Sequence, residues 1–431
     1  MPGWNRKGNK KSGDSFICIN PSCTVQETPV SFKESTTIDC ECGWNLGWKS
    51  QKEELYFLKH FHGEGGGGSV YEAWKRTPNG FEGKYALKFL HPVGGVNFKQ
   101  CKEKLEREAQ ALQKAYDTGA RVPRYIDRHS PESEQDPNNH FFFIQEFIEG
   151  DNLENILKYK KKKITEGNDY FNEKELFQYL IDLLETLHLL HQQGILHRDI
   201  KPRNIIQKSI MNNVQRDSAE NKHLYLVDFG SSKQLEPGID NKYTRNHPRT
   251  SAYTPPETLI ETELSTQQLE QYKLFMGEFR IEQEPLDKYS WTRDIYSLGI
   301  TIFELLDCIS KGNSPVIPRW QPSDKAWSEW MSNIRQKIPD LYPILEKMTR
   351  FYPDERYQTA MDTLLEANAQ AWYIYGDRGD NCWLLKEKFL KDALKSIDEK
   401  GINLPLLQEQ FLQKSKEQQD REDYRKIFRE N

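Results

Sequence analysis

The stretch from Ile195 to Asn204 constrains this chain more than any other. It holds an acid, Asp199, and an amide, Asn204, with Lys201 and Pro202 between them. An apolar run from Leu176 to Leu190 at helical spacing leads into it, and Gly194 stops that helix. A second acid, Asp228, follows in the strand-like run Leu224 to Gly230, which ends in a turn. These residue types suit one chemistry. One carboxylate can accept a hydroxyl proton. A second carboxylate and an amide oxygen can hold magnesium, a hard cation that takes oxygen ligands.

Upstream lie two further patterned stretches. Gly63, Gly65, Gly68 and Val70 follow a GxGxxGxV pattern between strand-like Phe57–Phe61 and Val70–Trp74. Glycine lets a backbone approach phosphate closely and point its amides at it. So many glycines could equally form a plain flexible turn. Tyr85 to Phe89 reads as a strand, with Lys88 between Leu87 and Phe89. Residues 99–116 read as a charged helix with Leu105, Ala109 and Leu112 inward. Glu108 on that helix is the candidate partner of Lys88, and Glu106 is its rival in register. Phe141 to Ile144 is a further apolar strand, followed by Gln145, Glu146, Phe147, Ile148, Glu149 and Gly150.

Taken in order, these motifs resemble the signature set of protein kinases: glycine-rich loop, lysine strand, His197-Arg198-Asp199 with Lys201 and Asn204, then Asp228-Phe229-Gly230. Their wording is similar to that of bacterial eukaryotic-like serine/threonine kinases, some of which carry a short four-cysteine segment ahead of the kinase. Lys201 fits the serine/threonine branch. The resemblance runs from about residue 56 to 370. It implies an α+β, bilobal protein-kinase fold, with a β-rich N-lobe and a mainly helical C-lobe.

The same resemblance implies roles residue by residue. Gly63, Gly65 and Gly68 cover the ATP phosphates, and Lys88, held by Glu108, contacts the α- and β-phosphates. Val70, Ala86 and Ile206 sandwich the adenine, and the backbone of Glu146 and Ile148 bonds it, with Gln145 as gatekeeper. Asn204 and Asp228 hold Mg²⁺. Asp199 orients the acceptor hydroxyl and takes its proton, and Lys201 neutralises the γ-phosphate. Asp294 braces the catalytic-loop backbone, and Arg356 pairs with Glu257 at the end of an activation segment running from Asp228. In that segment Thr244 is the candidate autophosphorylation site, its phosphate pairing with Arg198. Protein substrates with Ser/Thr acceptors follow. Two other readings stay open: a pseudokinase scaffold working through its terminal segments, and a small-molecule kinase of related fold.

The ends of the chain add less. Residues 1–15 are polar and read as disordered. Cys18, Cys23, Cys40 and Cys42 form two close pairs, which suggests a zinc ribbon over 16–50, or else a set of unrelated reduced thiols. A segment so short would draw its folding energy from the metal. Residues 371–431 are a charged extension with helices expected over Trp383–Ile397 and Leu406–Lys414. Across 431 residues the net charge is −5, so nothing draws the chain to nucleic acid. No apolar run is long enough to span a membrane, and none follows Arg6, Lys7, Lys10 and Lys11 as a secretory signal would require. Seven cysteines, four of them before residue 43, do not form a secreted disulfide framework. The expectation is a soluble cytoplasmic protein; the sequence is silent on its oligomeric state.

Overall fold

A computed structural model describes residues 15–18, 27–29, 46–65, 68–90, 97–133, 140–163, 171–208, 223–235, 253–258, 290–306, 332–350, 352–376, 383–401 and 403–430. Thr244, three of the four amino-terminal cysteines (Cys23, Cys40 and Cys42) and most of the 258–290 insertion lie outside these residues. The chain divides into two compact units, one made of 1–110 and 123–147 and the other of 111–122 and 148–431.

The first unit is a six-stranded antiparallel sheet in the order β3-β4-β5-β6-β8-β7. Its strands are β3 (Gly47–Lys49), β4 (Leu55–Gly65), β5 (Gly68–Thr77), β6 (Gly80–Phe89), β7 (Tyr125–His129) and β8 (Phe142–Glu146). Strand alternation sorts the residues onto two faces. Tyr71, Ala73, Leu87, Phe89, Phe142 and Ile144 join Trp48, Tyr56 and Leu58 in one buried cluster. The residues between them face the other way. Lys88 stands opposite Val70 on one side and Phe143 on the other, and Ala86 stands opposite Gln145. Helix α1 (Phe98–Asp117) buries Leu105, Ala109 and Leu112, as its spacing predicts.

A small hairpin, β1 (Ser15–Ile17) and β2 (Glu27–Pro29), precedes this sheet. Phe16 and Cys18 are buried with Leu46 and Phe57, so the hairpin packs on the sheet through apolar side chains. Strand β3 extends the same sheet beside β4.

The second unit is mainly helical. Helix α2 (Leu153–Lys163) precedes α3 (Glu173–Gln192), whose N-cap Asn172 accepts the Glu175 amide at 2.8 Å. Leu176, Leu180, Leu184 and Leu190 of α3 are fully buried, each contributing roughly 1.5–3 kcal/mol. Gly194, at φ +75°, ends this helix. A Cβ there would lie 2.8 Å from the Leu235 carbonyl oxygen, so the turn admits only glycine without strain. Two short sheets flank the loop that follows: β9 (Gly150–Asn152), β11 (Ile205–Lys208) and β12 (His223–Leu226) in the order β12-β11-β9, and β10 (Ile195–Leu196) with β13 (Lys233–Gln234). Helix α4 (Ser290–Leu306) is buried almost all round.

Helices α5 (Tyr342–Met348), α6 (Ala360–Tyr375), α7 (Glu387–Lys400) and α8 (Leu406–Glu430) complete the unit. Helix α7 starts later than its apolar pattern suggests, because Trp383, Leu384 and Leu385 are buried in the turn before it. Helix α8 runs well past Lys414, since charge there does not break a helix. Among the described residues no helix is long and apolar enough to cross a membrane.

Candidate active site

Each unit carries half of the predicted constellation. In the sheet unit, Lys88 on β6 makes an ion pair with Glu108 Oε1 on α1, and both side chains are about as buried as a core leucine. Register therefore favours Glu108 over Glu106. A buried charge needs its partner, so removing either leaves a costly uncompensated ion. Val70 and Ala86 share the face of Lys88, one strand apart.

The glycine-rich segment closes the β4–β5 hairpin, with Gly63 opposite Val70 and Gly65 opposite Gly68; residues 66–67 lie outside the described residues. The ladder slips between Phe61 and Gly63, a bulge that re-aims the strand as it enters the loop. Gly68 sits at φ +144°, and a Cβ there would fall 1.8 Å from the Phe89 carbonyl oxygen. Close backbone approach thus requires glycine at this position. At the end of β8 the Glu146 amide donates to the Arg124 carbonyl at 2.8 Å. The Glu146 amide is thus engaged within the sheet unit.

In the helical unit the loop after α3 is fixed from below by Asp294 of α4. Its Oδ2 accepts the His197 amide and its Oδ1 the Arg198 amide, both at 2.8 Å, and His191 Nε2 bonds Oδ2 at 3.1 Å. Burial pushes this carboxyl up. The hydrogen bond from His191, the two imidazoles and the Arg198 amide outweigh burial and hold it below the usual carboxylate range. Arg198 and Asp228 both adopt positive φ, at 67° and 70°. Left-handed backbone costs a non-glycine residue roughly 1–2 kcal/mol. Asp294 grips the two successive amides that lead into the strained Arg198 turn and keeps it in place.

Above this brace the chemical groups converge. Lys201 Nζ donates to both oxygens of Asp199, at 2.9 and 2.8 Å. Asn204 Nδ2 donates to the Asp199 carbonyl at 2.8 Å and to its Oδ2 at 2.9 Å. The amide nitrogen of Asn204 is thereby spent on Asp199, and its Oδ1 is the atom suited to a cation. The Val227 amide donates to the Asn204 carbonyl at 2.9 Å, which sets Asp228 beside the loop. His197 completes the link. It is fully buried, burial pushes its pKa down despite Asp294, Asp199 and Asp228, and its Nε2 bonds the Val227 carbonyl at 3.2 Å. The neutral ring donates there from Nε2, which leaves Nδ1 to receive the Asp199 amide at 3.4 Å. An Asp228 carboxylate and an Asn204 carbonyl oxygen form a hard, all-oxygen donor pair that fits Mg²⁺.

Four further predicted residues have definite places. Ile148 is buried in the helical unit, and Ile206 is half-buried on β11, opposite Tyr225. Arg356 and Glu257 form a buried bidentate pair with both bonds at 2.9 Å. The sequence does not reveal that His191 grips Asp294. No local pattern carries that signal, because the partner lies on another helix.

One unit thus carries a lysine held by a buried glutamate, and the other an acid clamped by a lysine and an asparagine beside a second acid. The model of the protein kinase domain matches residues 56–361, and the chain belongs to that family. It is 26% identical over 350 residues to Serine/threonine-protein kinase B of Synechocystis, covering 81% of this chain and 51% of that protein. It is also 26% identical over 285 residues to Serine/threonine-protein kinase C of Synechocystis, covering 65% of this chain and 43% of that one. The chain thus spans about half the length of the curated relatives it matches. Among solved structures, the Mycobacterium tuberculosis PknI kinase domain is similar over 73% of this chain and 95% of that one, with 17% identity and a TM-score of 0.45.

Proposed function

We propose that this chain is a bacterial-type serine/threonine protein kinase that moves the γ-phosphoryl group of ATP to Ser/Thr hydroxyls of protein substrates, itself included. The observation that carries the reading is the Asp199 carboxylate, held by Lys201 and Asn204 on a loop that Asp294 fixes. Lys88, oriented by Glu108, binds the α- and β-phosphates. The glycine amides of the β4–β5 loop cover the triphosphate, and the Glu146 carbonyl and Ile148 amide receive the adenine between Val70, Ala86 and Ile206. Asn204 and Asp228 would hold Mg²⁺, which supplies charge neutralisation at the triphosphate. Asp199 orients the acceptor hydroxyl and takes its proton as the O–P bond forms, a contribution of roughly 10²–10⁴-fold in rate. Lys201 balances the charge on the transferring group.

Two finer parts of the proposal concern residues outside those described. Phosphate on Thr244 would pair with Arg198 and raise activity; equal initial rates for wild type, Thr244→Ala and phosphatase-treated protein would exclude it. One zinc would bind Cys18, Cys23, Cys40 and Cys42 ahead of the kinase domain. Cys18 itself is buried in an apolar cluster, so elemental analysis of the purified chain decides between a metal and plain thiol packing. Localisation to the cytoplasm belongs to the same proposal.

The test of the whole is incubation of the purified chain with γ-labelled ATP and a cell lysate, followed by phosphosite mapping. Label on serine and threonine supports the kinase. Nucleotide binding without transfer would favour a pseudokinase scaffold instead.

A further inference from the structure

The matched family model ends at residue 361, and helix α7 lies beyond it. This helix is firmly seated: Phe389, Leu390 and Ala393 are buried. Asp392 and the N-cap Lys386 reach α3, and Lys388 reaches the turn after α1. Asp392 Oδ2 accepts from His188 Nε2 and from Gln192 Nε2, both at 3.0 Å. Lys386 lies 3.6 Å from Glu185. Lys388 Nζ donates to the Thr118 carbonyl at 2.9 Å.

The position of Asp392 matters most. His188 and Gln192 belong to the last turn and a half of α3, and the chain leaves α3 directly into Gly194 and then His197. His191, between them, holds Asp294 from the same turn. One helical turn therefore has an outer clamp, Asp392, and an inner one, Asp294. Beside Asp392 lies a cavity of about 280 Å³ whose lining includes His188, His191, Trp291, Asp392, Lys395 and Glu399. At its edge Asp392's two hydrogen bonds tie α7 to α3, beside the ring contact of Phe389 with His188. A helix end without such ties opens locally at little cost.

We propose that Asp392 is a positioning residue for the catalytic loop, and that α7 is a working part of the catalytic unit, clamping the end of α3 so that His191 and Asp294 hold the His197 and Arg198 amides. The kinetic side of this proposal rests on the reading of 197–204 as a catalytic loop; the exchange side does not. Asp392 acts through geometry. Both donors meet a single oxygen, and an asparagine carbonyl in that place accepts both equally well.

The experiment uses the full chain and compares wild type with Asp392→Ala, Asp392→Asn and, as a control on the same helix, Lys395→Ala. Hydrogen exchange is read peptide by peptide, and kcat and KM for ATP are measured in parallel. The clamp predicts that Asp392→Ala speeds exchange at 188–200 and lowers kcat by about 3- to 10-fold with KM for ATP within about twofold. Asp392→Asn restores both, and Lys395→Ala changes neither. Unchanged exchange at 188–200 in Asp392→Ala overturns the proposal. So does faster exchange spread evenly over α3, α4 and α6, which marks ordinary loss of stability. Changed exchange in a chain that transfers no phosphate would uphold the clamp and refute the kinase reading alone.

Discussion

Replacing Asp294 by asparagine tests how the loop is held. The carboxylate takes three hydrogen bonds, from the amides of His197 and Arg198 and from His191. Asparagine keeps one acceptor oxygen and puts an NH₂ where the other oxygen stood. At least one buried N–H then faces a donor. A buried donor left unpaired costs about 1–3 kcal/mol, and the remaining bonds lose their charge assistance. Together these predict a loss of about 2–4 kcal/mol in unfolding free energy. The same change frees the Arg198 turn, held at φ 67°. The loop beneath Asp199 loses its support, so kcat should fall at least about tenfold while KM for ATP moves by less than about threefold. Chemical denaturation and steady-state kinetics on the same preparation read both numbers. Wild-type stability together with wild-type kcat would refute the idea that Asp294 supports the loop.

Three more outcomes are expected. Gly68→Ala forces a Cβ against the Phe89 carbonyl and should distort the β4–β5 hairpin, raising KM for ATP; an unchanged KM would mean the hairpin does not contact nucleotide. Glu257→Gln breaks the buried pair with Arg356 and should cost about 3–5 kcal/mol in a denaturant titration, with Glu257→Gln/Arg356→Met recovering part of it. His197 is held neutral by burial with its pKa below 6.5, so its contribution to stability is present above pH 6.5 and lost as pH falls through the lower folded value. Between pH 7.5 and 5.5 the wild type should therefore lose up to about 1.4 kcal/mol more per pH unit than His197→Gln, and parallel curves for the two proteins would contradict this.

Much of this was legible in the chain itself because the groups lie close together in sequence. Asp199, Lys201 and Asn204 fall within one turn and a short 3₁₀ segment, so their spacing nearly determines their contact. The strand around Lys88 and the helix around Glu108 each showed a clean period, and the pair followed once register chose between two acids. What stayed hidden depends on backbone strain and distant packing. Nothing in the sequence marks the left-handed turns at Arg198 and Asp228, because both residues are ordinary in the extended state. His191 looked like one more residue of an amphipathic helix, since its partner comes 103 residues later. Asp392 looked like a solvated charge in a mixed-charge tail. Its role at the end of α3 emerges only when Phe389 and Leu390 are seen seated on the helical unit.

The central claim is that Asp199 and Lys88 carry phosphoryl transfer, and one measurement reaches it directly: single-turnover transfer from γ-labelled ATP by wild type, Asp199→Asn and Lys88→Met. The account predicts transfer by the wild type and a loss of about 10²-fold or more in each variant. It also predicts that Asp199→Asn melts close to the wild type. Lys88→Met melts lower, because Glu108 stays buried without its cation. Wild-type rates in either variant would contradict the account.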